Sequence, residues 1–429
     1  MKSGRGIRRG WIVALGFAAA SILPAGAIDR AANVILFIGD GMGTEHVKAA
    51  RYFKGAPLCF ETFPHFASVD TESPSGVPDS AAAATAIATG MPVANGVVSL
   101  AIPGDAGERQ TVLEYFQGKG KRTGLVTTDV MTGATPACFG AHAESRADTG
   151  NIAGDYLAQT HPEVLYGGGG VDPEAAQAAG YQVVRNSGEL AAIDPATATN
   201  VAGFFGDDVL PYEYDGLGDC PHLWEMTSNA VAILEHGSRG FFLMVEEAGI
   251  DHAAHAYDAP RMIRAALALD AAVQAALDWA SNRTDTLILV MGDHETSGLV
   301  VTNDNGAGHA PGVQWTASWH TAALVGCWAW GAGGERAAET MALANIHDVV
   351  VAAALFQSWC EASVDTPTNV AMTWQSTSGE TFRVEYSDGL ELPVWHPLGV
   401  VTADSDSFAI VDSDVGLASN RFYRAISLP

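Results

Sequence analysis

The chain has 429 residues, of which 49 are acidic and 22 are basic, and its formal net charge at pH 7 is −27. This balance excludes a nucleic-acid-binding protein, because contact with a phosphate backbone needs clustered lysine and arginine. It also means that a site for an anionic ligand must obtain its positive field locally, from bound metal ions or a few arginines.

Residues 1–27 have the three parts of a secretory signal peptide. Four cations precede a short apolar run at residues 11–23, and residues 25–27 (AGA) match a small-residue cleavage site. The run is shorter than the ~20 residues of a membrane-spanning helix, and no later stretch is long enough. We therefore expect a periplasmic or secreted protein without a membrane span. The pair Arg8-Arg9 leaves twin-arginine export as an alternative to ordinary secretion.

Apolar runs alternate with alanine-rich segments from about residue 30 to residue 358, and residues 260–280 have a clear helical period. This alternation predicts an α/β fold, a three-layer sandwich with a mostly parallel central sheet. We assign residues 28–360 to this domain.

Acid and imidazole side chains follow three of the predicted strands, which are the apolar runs 34–38, 241–245 and 286–290. The side chains are Asp40 after the first run, Glu246, Asp251 and His255 after the second, and Asp293 and His294 after the third. Open parallel sheets bind ligands beyond the carboxyl ends of their strands, and carboxylates with imidazoles suit hydrolytic metal ions. These positions indicate a metal centre.

A serine stands at the start of another predicted helix. Residues 73–78 are rich in turn formers, Asp79 precedes an alanine run, and Gly90 marks the end of the helix. Ser80 therefore falls in the first helical turn, where free N–H groups and the helix dipole favour an anion. Such a serine is usually only a capping residue. Near metal ligands it is also a candidate nucleophile, because a metal-bound serine alkoxide is reactive.

The composition changes after Cys360. Residues 366–369 have the character of a linker, and the short runs that follow alternate apolar and polar residues without a helical period. We expect a small β-sandwich-like module at residues 366–429. Nothing in its sequence names a ligand, so a structural or surface-association role is preferred.

Six motifs occur in the order that one protein family shows. They are IGDGMG at 38–43, DSA at 79–81, ATP at 134–136 with AHAESR at 141–146, VEEAGIDHAAH at 245–255, GDHET at 292–296 and WHT at 319–321. In these motifs the chain resembles the alkaline phosphatases of the alkaline phosphatase superfamily. The resemblance covers roughly residues 30–355 and leaves the terminal β module outside it.

The resemblance implies three metal sites. One zinc ion would be bound by Asp251, His255 and His320, and a second zinc ion by Asp40, Asp293, His294 and Ser80. A magnesium ion would be bound by Asp40, Thr135 and Glu246. The residue types agree with this division, since imidazole and carboxylate suit catalytic zinc and an all-oxygen set suits magnesium.

The activity that the resemblance implies is the hydrolysis of phosphate monoesters. Ser80 would form a phosphoseryl intermediate, and Arg146 would bind two phosphate oxygens. A phosphodiesterase of the same superfamily is one alternative, although such enzymes usually have a threonine nucleophile and lack the arginine. A non-catalytic scaffold that displays the β module is an alternative of a different class, and it would be expected to have lost a ligand or the nucleophile.

Two positions depart from the family pattern. Gly133 stands where better-known relatives place an aspartate or a histidine that supports the water shell of the magnesium, so we expect a weakened third metal site. His252 stands where one branch has a lysine. Only 25 residues separate His294 from His320, where relatives often insert a lobe that helps to build a dimer interface. A homodimer is compatible with the resemblance, but that route to it is doubtful.

Overall fold

The protein is described here from a computed structural model, which describes residues 31–354, 360–366, 369–375, 379, 381–387, 395–404, 407–413 and 422–428. The predicted signal peptide, residues 1–27, lies outside the described residues. Among the helices that the structure describes, none combines the length and the apolar character needed to cross a bilayer.

A ten-stranded sheet forms the centre of the described residues 31–354. In chain order, the strands of this part are β1 (Asn33–Gly39), β2 (His65–Asp70), β3 (Arg122–Thr127), β4 (Val164–Gly167), β5 (Gln182–Val184), β6 (Val201–Phe204), β7 (Phe241–Glu247), β8 (Thr286–Gly292), β9 (Glu295–Thr296), β10 (Leu299–Asn303), β11 (Gly312–Trp315), β12 (His320–Thr321), β13 (Val325–Gly331) and β14 (Glu339–Ala342). The order in the sheet is β14-β2-β13-β8-β1-β7-β3-β4-β6-β5. Only β13 pairs antiparallel with its neighbours in this sheet, so the predicted mostly parallel sheet is confirmed.

Helices cover both faces of the sheet. They are α1 (Thr44–Lys54), α2 (Ser80–Thr89), α3 (Val112–Gly118), α4 (Ala134–Gly140), α5 (Thr149–Ala158), α6 (Pro173–Ala178), α7 (Ser187–Ala191), α8 (Leu223–Leu234), α9 (Gly249–His255), α10 (Ala259–Ala280) and α11 (Ala344–Ala354). Side chains of α2 to α5 and α11 pack with Leu36 and Phe242 in one core, and those of α1, α8 and α10 pack with Phe37 and Leu243 in the other. The three-layer sandwich is therefore confirmed.

The central strands are apolar along their whole length because both of their faces are covered. Every residue of β1, β7 and β8 is buried, and successive side chains of a strand point to opposite layers. The register places Gly39 of β1 level with Glu247 of β7 and with Gly292 of β8. The three strands therefore end side by side at the same edge of the sheet. This brings the residues that follow them close together.

The carboxyl-terminal part contains β15 (Cys360–Thr366), β16 (Asn369–Gln375), β17 (Thr381–Ser387), β18 (His396–Thr402), β19 (Ser407–Asp412) and β20 (Phe422–Leu428). These strands form two antiparallel three-stranded sheets, β15-β16-β19 and β18-β17-β20. Trp374, Phe382 and Phe408 stack in their shared core. The all-β character is as predicted. The expected linker at 366–369 is wrong, because Thr366 and Asn369 pair as the ends of adjacent strands. The domain bounds themselves stay a prediction.

We predict that Phe242→Ala lowers the free energy of unfolding by about 3–5 kcal/mol, because it removes a large side chain from a packed core. Phe242 is fully buried, and its ring centroid lies 5.3 Å from that of Phe116 and 5.9 Å from that of Phe139. Chemical denaturation followed by circular dichroism measures the loss. Phe66→Ala is the control, since Phe66 is 47% exposed. Equal losses in the two variants would contradict this account of the core.

Candidate active site

The three aligned strand ends place carboxylates within reach of one another. Just beyond β1, the N–H of Gly41 donates to Asp293 Oδ1 at 3.0 Å. Gly41 has φ 67°, and a Cβ at this position would lie 2.6 Å from Thr296 Oγ1 and 2.8 Å from Asp251 Oδ1. A side chain here would therefore clash, so the close approach of the segments depends on glycine.

One ligand cluster contains Asp40, Asp293 and His294, whose donor atoms lie within 4.8 Å of one another. His294 Nε2 is 3.2 Å from Asp40 Oδ1 and 3.4 Å from Asp293 Oδ2. Ser80 Oγ lies 3.3 Å from the same nitrogen. The structure thus brings together all four residues of the second predicted zinc set.

A second cluster contains Asp251, His255 and His320. The Nε2 atoms of the two histidines face each other at 3.1 Å, and Asp251 Oδ1 lies 3.4 Å from His255 Nε2 and 3.6 Å from His320 Nε2. Asp251 and His255 are four residues apart on α9 and so share one helix face. The carbonyl of Pro78 lies 2.8 Å from Nδ1 of His320, so Nε2 is the ring nitrogen that could bind a metal.

The two clusters adjoin each other. The rings of His294 and His320 stack with their centroids 3.6 Å apart, and Asp251 forms a possible ligand triad with these two histidines. Thr296 Oγ1 donates to Asp251 and also lies 3.3 Å from His294 Nδ1. Thr296 therefore holds one ligand from each cluster. Sequence reasoning quoted this residue inside a motif but gave it no role.

The predicted magnesium ligands come from two elements that flank β1. Glu246 is near the end of β7, is buried, and accepts a hydrogen bond from Thr127 Oγ1 at the end of β3. Thr135 is in the first turn of α4 and is equally buried. Burial, and next the negative charge of Asp129, raise the pKa of Glu246 to about 8, although the hydrogen bond from Thr127 opposes this.

The carboxyl groups of the site ionise unfavourably unless cations are bound beside them. Burial, and then the charges of Asp293, Asp251 and Glu246, raise the pKa of Asp40 well above its ordinary value. Burial likewise raises the pKa of Asp293 to about 7. For His294, burial and the neighbouring imidazoles lower the pKa well below its ordinary value, so the ring is neutral and able to bind a metal.

Unpartnered atoms support the same conclusion. Asp40 Oδ1, Asp293 Oδ2 and Thr135 Oγ1 are buried and make no hydrogen bond within the described part of the chain. Leaving a buried polar atom unpaired costs about 1–3 kcal/mol, whereas a bound cation would use each of these oxygens. Imidazole and carboxylate in two clusters, with oxygen alone in the third set, fit divalent metals of the zinc and magnesium types.

One carboxylate, that of Asp79, joins Arg146 to the start of the helix that carries Ser80. Asp79 caps α2 by accepting the N–H of Ala82 at 2.9 Å, and its other oxygen accepts from Arg146 Nη1 at 3.2 Å. Ser80 is therefore the first residue of a capped helix, and the guanidinium lies beside that helix start. The Arg146 side chain is 40% exposed, so part of its fork is open to an anion from solvent.

Trp319 lies at the outer side of the second cluster. Its side chain is 58% exposed, and its ring stacks on His320 with a centroid distance of 4.7 Å and lies 4.8 Å from that of His255. The stacking supports the orientation of the two histidines and leaves part of the indole exposed beside them. Sequence reasoning missed this role, because tryptophan carries no ligand chemistry.

Two other ionisable residues of the motifs lie apart from the ligand clusters. His142 bonds to the carbonyl of Ser99 and to Glu114, which is a structural role. Glu247 points away from the clusters, accepts hydrogen bonds from the Gly249 N–H and from Thr128 Oγ1, and lines a separate cavity.

An α/β sandwich with carboxylates and imidazoles gathered at the carboxyl edge of its sheet is the architecture of a metal-binding hydrolase. The chain belongs to the alkaline phosphatase family. The family model described as "Alkaline phosphatase" matches residues 31–170 and 166–384. The second of these stretches ends within β17.

The chain is similar to several curated alkaline phosphatases. It is 35% identical over 300 residues to alkaline phosphatase 3 of Bacillus subtilis, covering 64% of this chain and 63% of that protein. It is 35% identical over 342 residues to the streptomycin-6-phosphate phosphatase of Streptomyces griseus, covering 64% and 76%. Against the Escherichia coli alkaline phosphatase it is 32% identical over 351 residues, covering 66% and 73%. The chain thus spans slightly less than two thirds of the length of the Bacillus relative.

Solved structures show the same fold. The alkaline phosphatase from the Antarctic bacterium TAB5 superposes with a TM-score of 0.68 at 25% identity, covering 76% of this chain and 98% of that chain. A variant of that enzyme holds magnesium in its M3 site. The Thermus thermophilus alkaline phosphatase gives a TM-score of 0.69 at 24% identity, covering 77% and 93%.

We predict that Glu247→Gln flattens the pH dependence of stability. Burial raises the pKa of Glu247 from 4.5 to about 8, so folding favours the protonated form and the wild-type protein loses stability as pH rises between those values. Relative to wild type, the variant should gain about 2–3 kcal/mol between about pH 6 and about pH 8.5. Denaturant unfolding at equal metal loading measures the gain.

The control for this prediction is Glu213→Gln, a change in a partly exposed carboxylate that lines the same cavity. It should show no comparable trend with pH. A Glu247→Gln variant that tracks wild type at every pH would contradict the assignment of a protonated buried carboxyl.

Proposed function

We propose that this protein is a metal-dependent phosphatase that hydrolyses phosphate monoesters through a phosphoseryl intermediate on Ser80. The observation that carries the proposal is the position of Ser80. Its hydroxyl is at the positive end of α2, 3.3 Å from a metal-ligand imidazole, and the capping carboxylate of the same helix holds Arg146. Nucleophile, anion-binding fork and metal ligands thus meet at one point.

The chain's own residues account for the binding of the phosphoryl group. Arg146 would bind two non-bridging phosphate oxygens through its fork. The N–H groups and dipole of the first turn of α2 favour the same negative charge. Asp79 fixes both elements with its two oxygens, so the geometry between serine and arginine is set before substrate arrives.

In the reaction, Ser80 Oγ forms a bond to phosphorus while the bond from phosphorus to the alcohol oxygen breaks. Water then attacks the phosphoseryl group, and inorganic phosphate and free Ser80 are released. Two zinc ions, held by Asp251, His255 and His320 and by Asp40, Asp293, His294 and Ser80, would supply Lewis-acid stabilisation of the charge on the attacking and leaving oxygens. Asp40, Thr135 and Glu246 would hold magnesium.

We propose that the protein acts in the periplasm or outside the cell. The support for this location is the signal peptide predicted at residues 1–27, together with the family. The substrates would be small phosphate monoesters. Dimerisation stays a prediction.

We expect Ser80→Ala to lower turnover of p-nitrophenyl phosphate by at least about a thousandfold, equivalent to roughly 4 kcal/mol of barrier, because it removes the nucleophile. Zinc content, measured by mass spectrometry, should stay at the wild-type level, since three ligands remain at each zinc site.

The matched control is Ser187→Ala. Ser187 is likewise the first residue of a helix, α7, and follows an asparagine cap, but it is outside the clusters. A fully active Ser80→Ala variant, or an equal loss in Ser187→Ala, would remove Ser80 from the mechanism.

We expect the monoester to be preferred over its diester. Arg146→Ala should lower kcat/KM for p-nitrophenyl phosphate by about 10²-fold, the value of a charge-assisted pair of roughly 2–3 kcal/mol. It should lower kcat/KM for bis-p-nitrophenyl phosphate much less, because a diester has fewer free oxygens for the fork. Arg109→Ala is the control, as Arg109 also pairs with an aspartate and is 37% exposed. A wild-type enzyme that prefers the diester would favour the phosphodiesterase alternative.

A further inference from the structure

The loop between β3 and α4 carries a carboxylate that the ligand sets above do not use. Asp129 is two residues beyond the end of β3. Its N–H donates to Thr127 Oγ1, and its Oδ1 accepts the N–H of Val130, both at 2.8 Å. These bonds fix the side chain and leave Oδ2 to point towards the start of α4.

This second oxygen, Asp129 Oδ2, occupies the space in which a side chain at residue 133 would begin. A Cβ built on Gly133 would lie 2.4 Å from Asp129 Oδ2 and 3.0 Å from Asp129 Cγ. The backbone of Gly133, with φ −57° and ψ 159°, is one that any L residue can adopt. The closest obstacle to a side chain here is therefore the carboxylate of Asp129, followed by the backbone carbonyl of Val130 at 3.0 Å, and not the backbone angles of residue 133.

The surroundings of this carboxylate are those of the third ligand set. Thr127 joins Asp129 to Glu246, because its Oγ1 accepts the N–H of Asp129 and donates to the carboxylate of Glu246. Thr135 Oγ1, two residues after Gly133, is buried and has no hydrogen-bond partner among the described residues. One divalent cation in this space would use the carboxylates of Asp129 and Glu246 together with the unpartnered hydroxyl.

We propose that Asp129 is a magnesium-binding residue, which supplies from the preceding loop the carboxylate that residue 133 lacks. The inference rests on the assignment of Asp40, Thr135 and Glu246 to magnesium in the proposed function. Gly133 alone predicts a weakened magnesium site. With the carboxylate of Asp129 in the space beside Gly133, we expect the site to keep its affinity.

The experiment measures magnesium affinity of the zinc-loaded full chain by isothermal titration calorimetry, with zinc content determined in parallel. Asp129→Asn and Asp129→Ala should weaken magnesium binding by about 10–100-fold, the usual cost of losing a supporting carboxylate, with two zinc ions per chain retained. Asp208→Asn is the charge-matched control. Its exposed side chain also acts on the pKa of Asp129, and its loss should change the affinity by less than about threefold.

A relocation variant separates metal binding from a purely structural role of Asp129 in its loop. In Asp129→Ala/Gly133→Asp the clash with Asp129 Oδ2 is gone, and a carboxylate projects into the same space from the start of α4. Magnesium affinity should recover at least about tenfold over Asp129→Ala. A residue that only braced the loop would not be replaced from position 133.

The inference is overturned if both Asp129 variants bind magnesium like wild type, or if the relocation variant recovers nothing. Wild-type protein that hydrolyses p-nitrophenyl phosphate with zinc alone and binds no magnesium also overturns it, while leaving the proposed function intact. Conversely, magnesium binding that depends on Asp129 in a protein without phosphatase activity supports the metal assignment and refutes the proposed function.

Discussion

The site depends on burying several like charges together. Asp40, Glu246, Asp251 and Asp293 are each at most 5% exposed, and nearby carboxylates resist ionisation because each disfavours the charged form of the others. Such an arrangement is stable at neutral pH only when cations or protons compensate it. The raised pKa values of Asp40, Glu246 and Asp293 mean that these carboxyl groups retain protons more readily when no metal is bound. The unpartnered oxygens are the atoms at which metal ions would replace those protons. Metal binding and folding are thereby coupled.

The sheet supplies the rigidity that this repulsion requires. β1 is held between two parallel strands over its full length, and its side chains enter both cores. A loop alone could relax by moving its carboxylates apart. Here Asp40 follows directly from β1, and Asp293 follows β8 at the same level, so separating them would break ladder hydrogen bonds and packed core. Gly41 then allows the α9 segment to approach without a clash. The packing energy of the core therefore maintains an electrostatically unfavourable arrangement.

Much of the fold and of the site could be predicted because both are encoded locally. Buried parallel strands read as continuous apolar runs, and the acids that follow β1, β7 and β8 mark the site edge in sequence. The same rule applied to β3 would have indicated Asp129, which follows that strand by two residues, but no motif drew attention to it. The relation between Asp129 and Gly133 is a distance in space, from Asp129 Oδ2 to the position that a Cβ at residue 133 would take. A sequence pattern does not contain that distance. The linker expected at 366–369 is wrong because residues typical of linkers also stand between paired strands, and here Thr366 and Asn369 pair.

The charge of the filled site shows why an additional carboxylate would be tolerated there. Three divalent cations bring six positive charges, and the four ligand carboxylates neutralise four of them. Asp129 would neutralise one more, which leaves a small positive excess to which Arg146 adds its own charge. The whole chain without metals has a formal charge of −27 and repels a phosphate dianion at long range. Attraction therefore has to arise within a few ångströms, where the metals, the guanidinium and the start of α2 act together and salt screens little. Under the proposed function, a substrate would be recognised by its compact dianion at this point, so the charges that would hold the metals would also select the phosphoryl group.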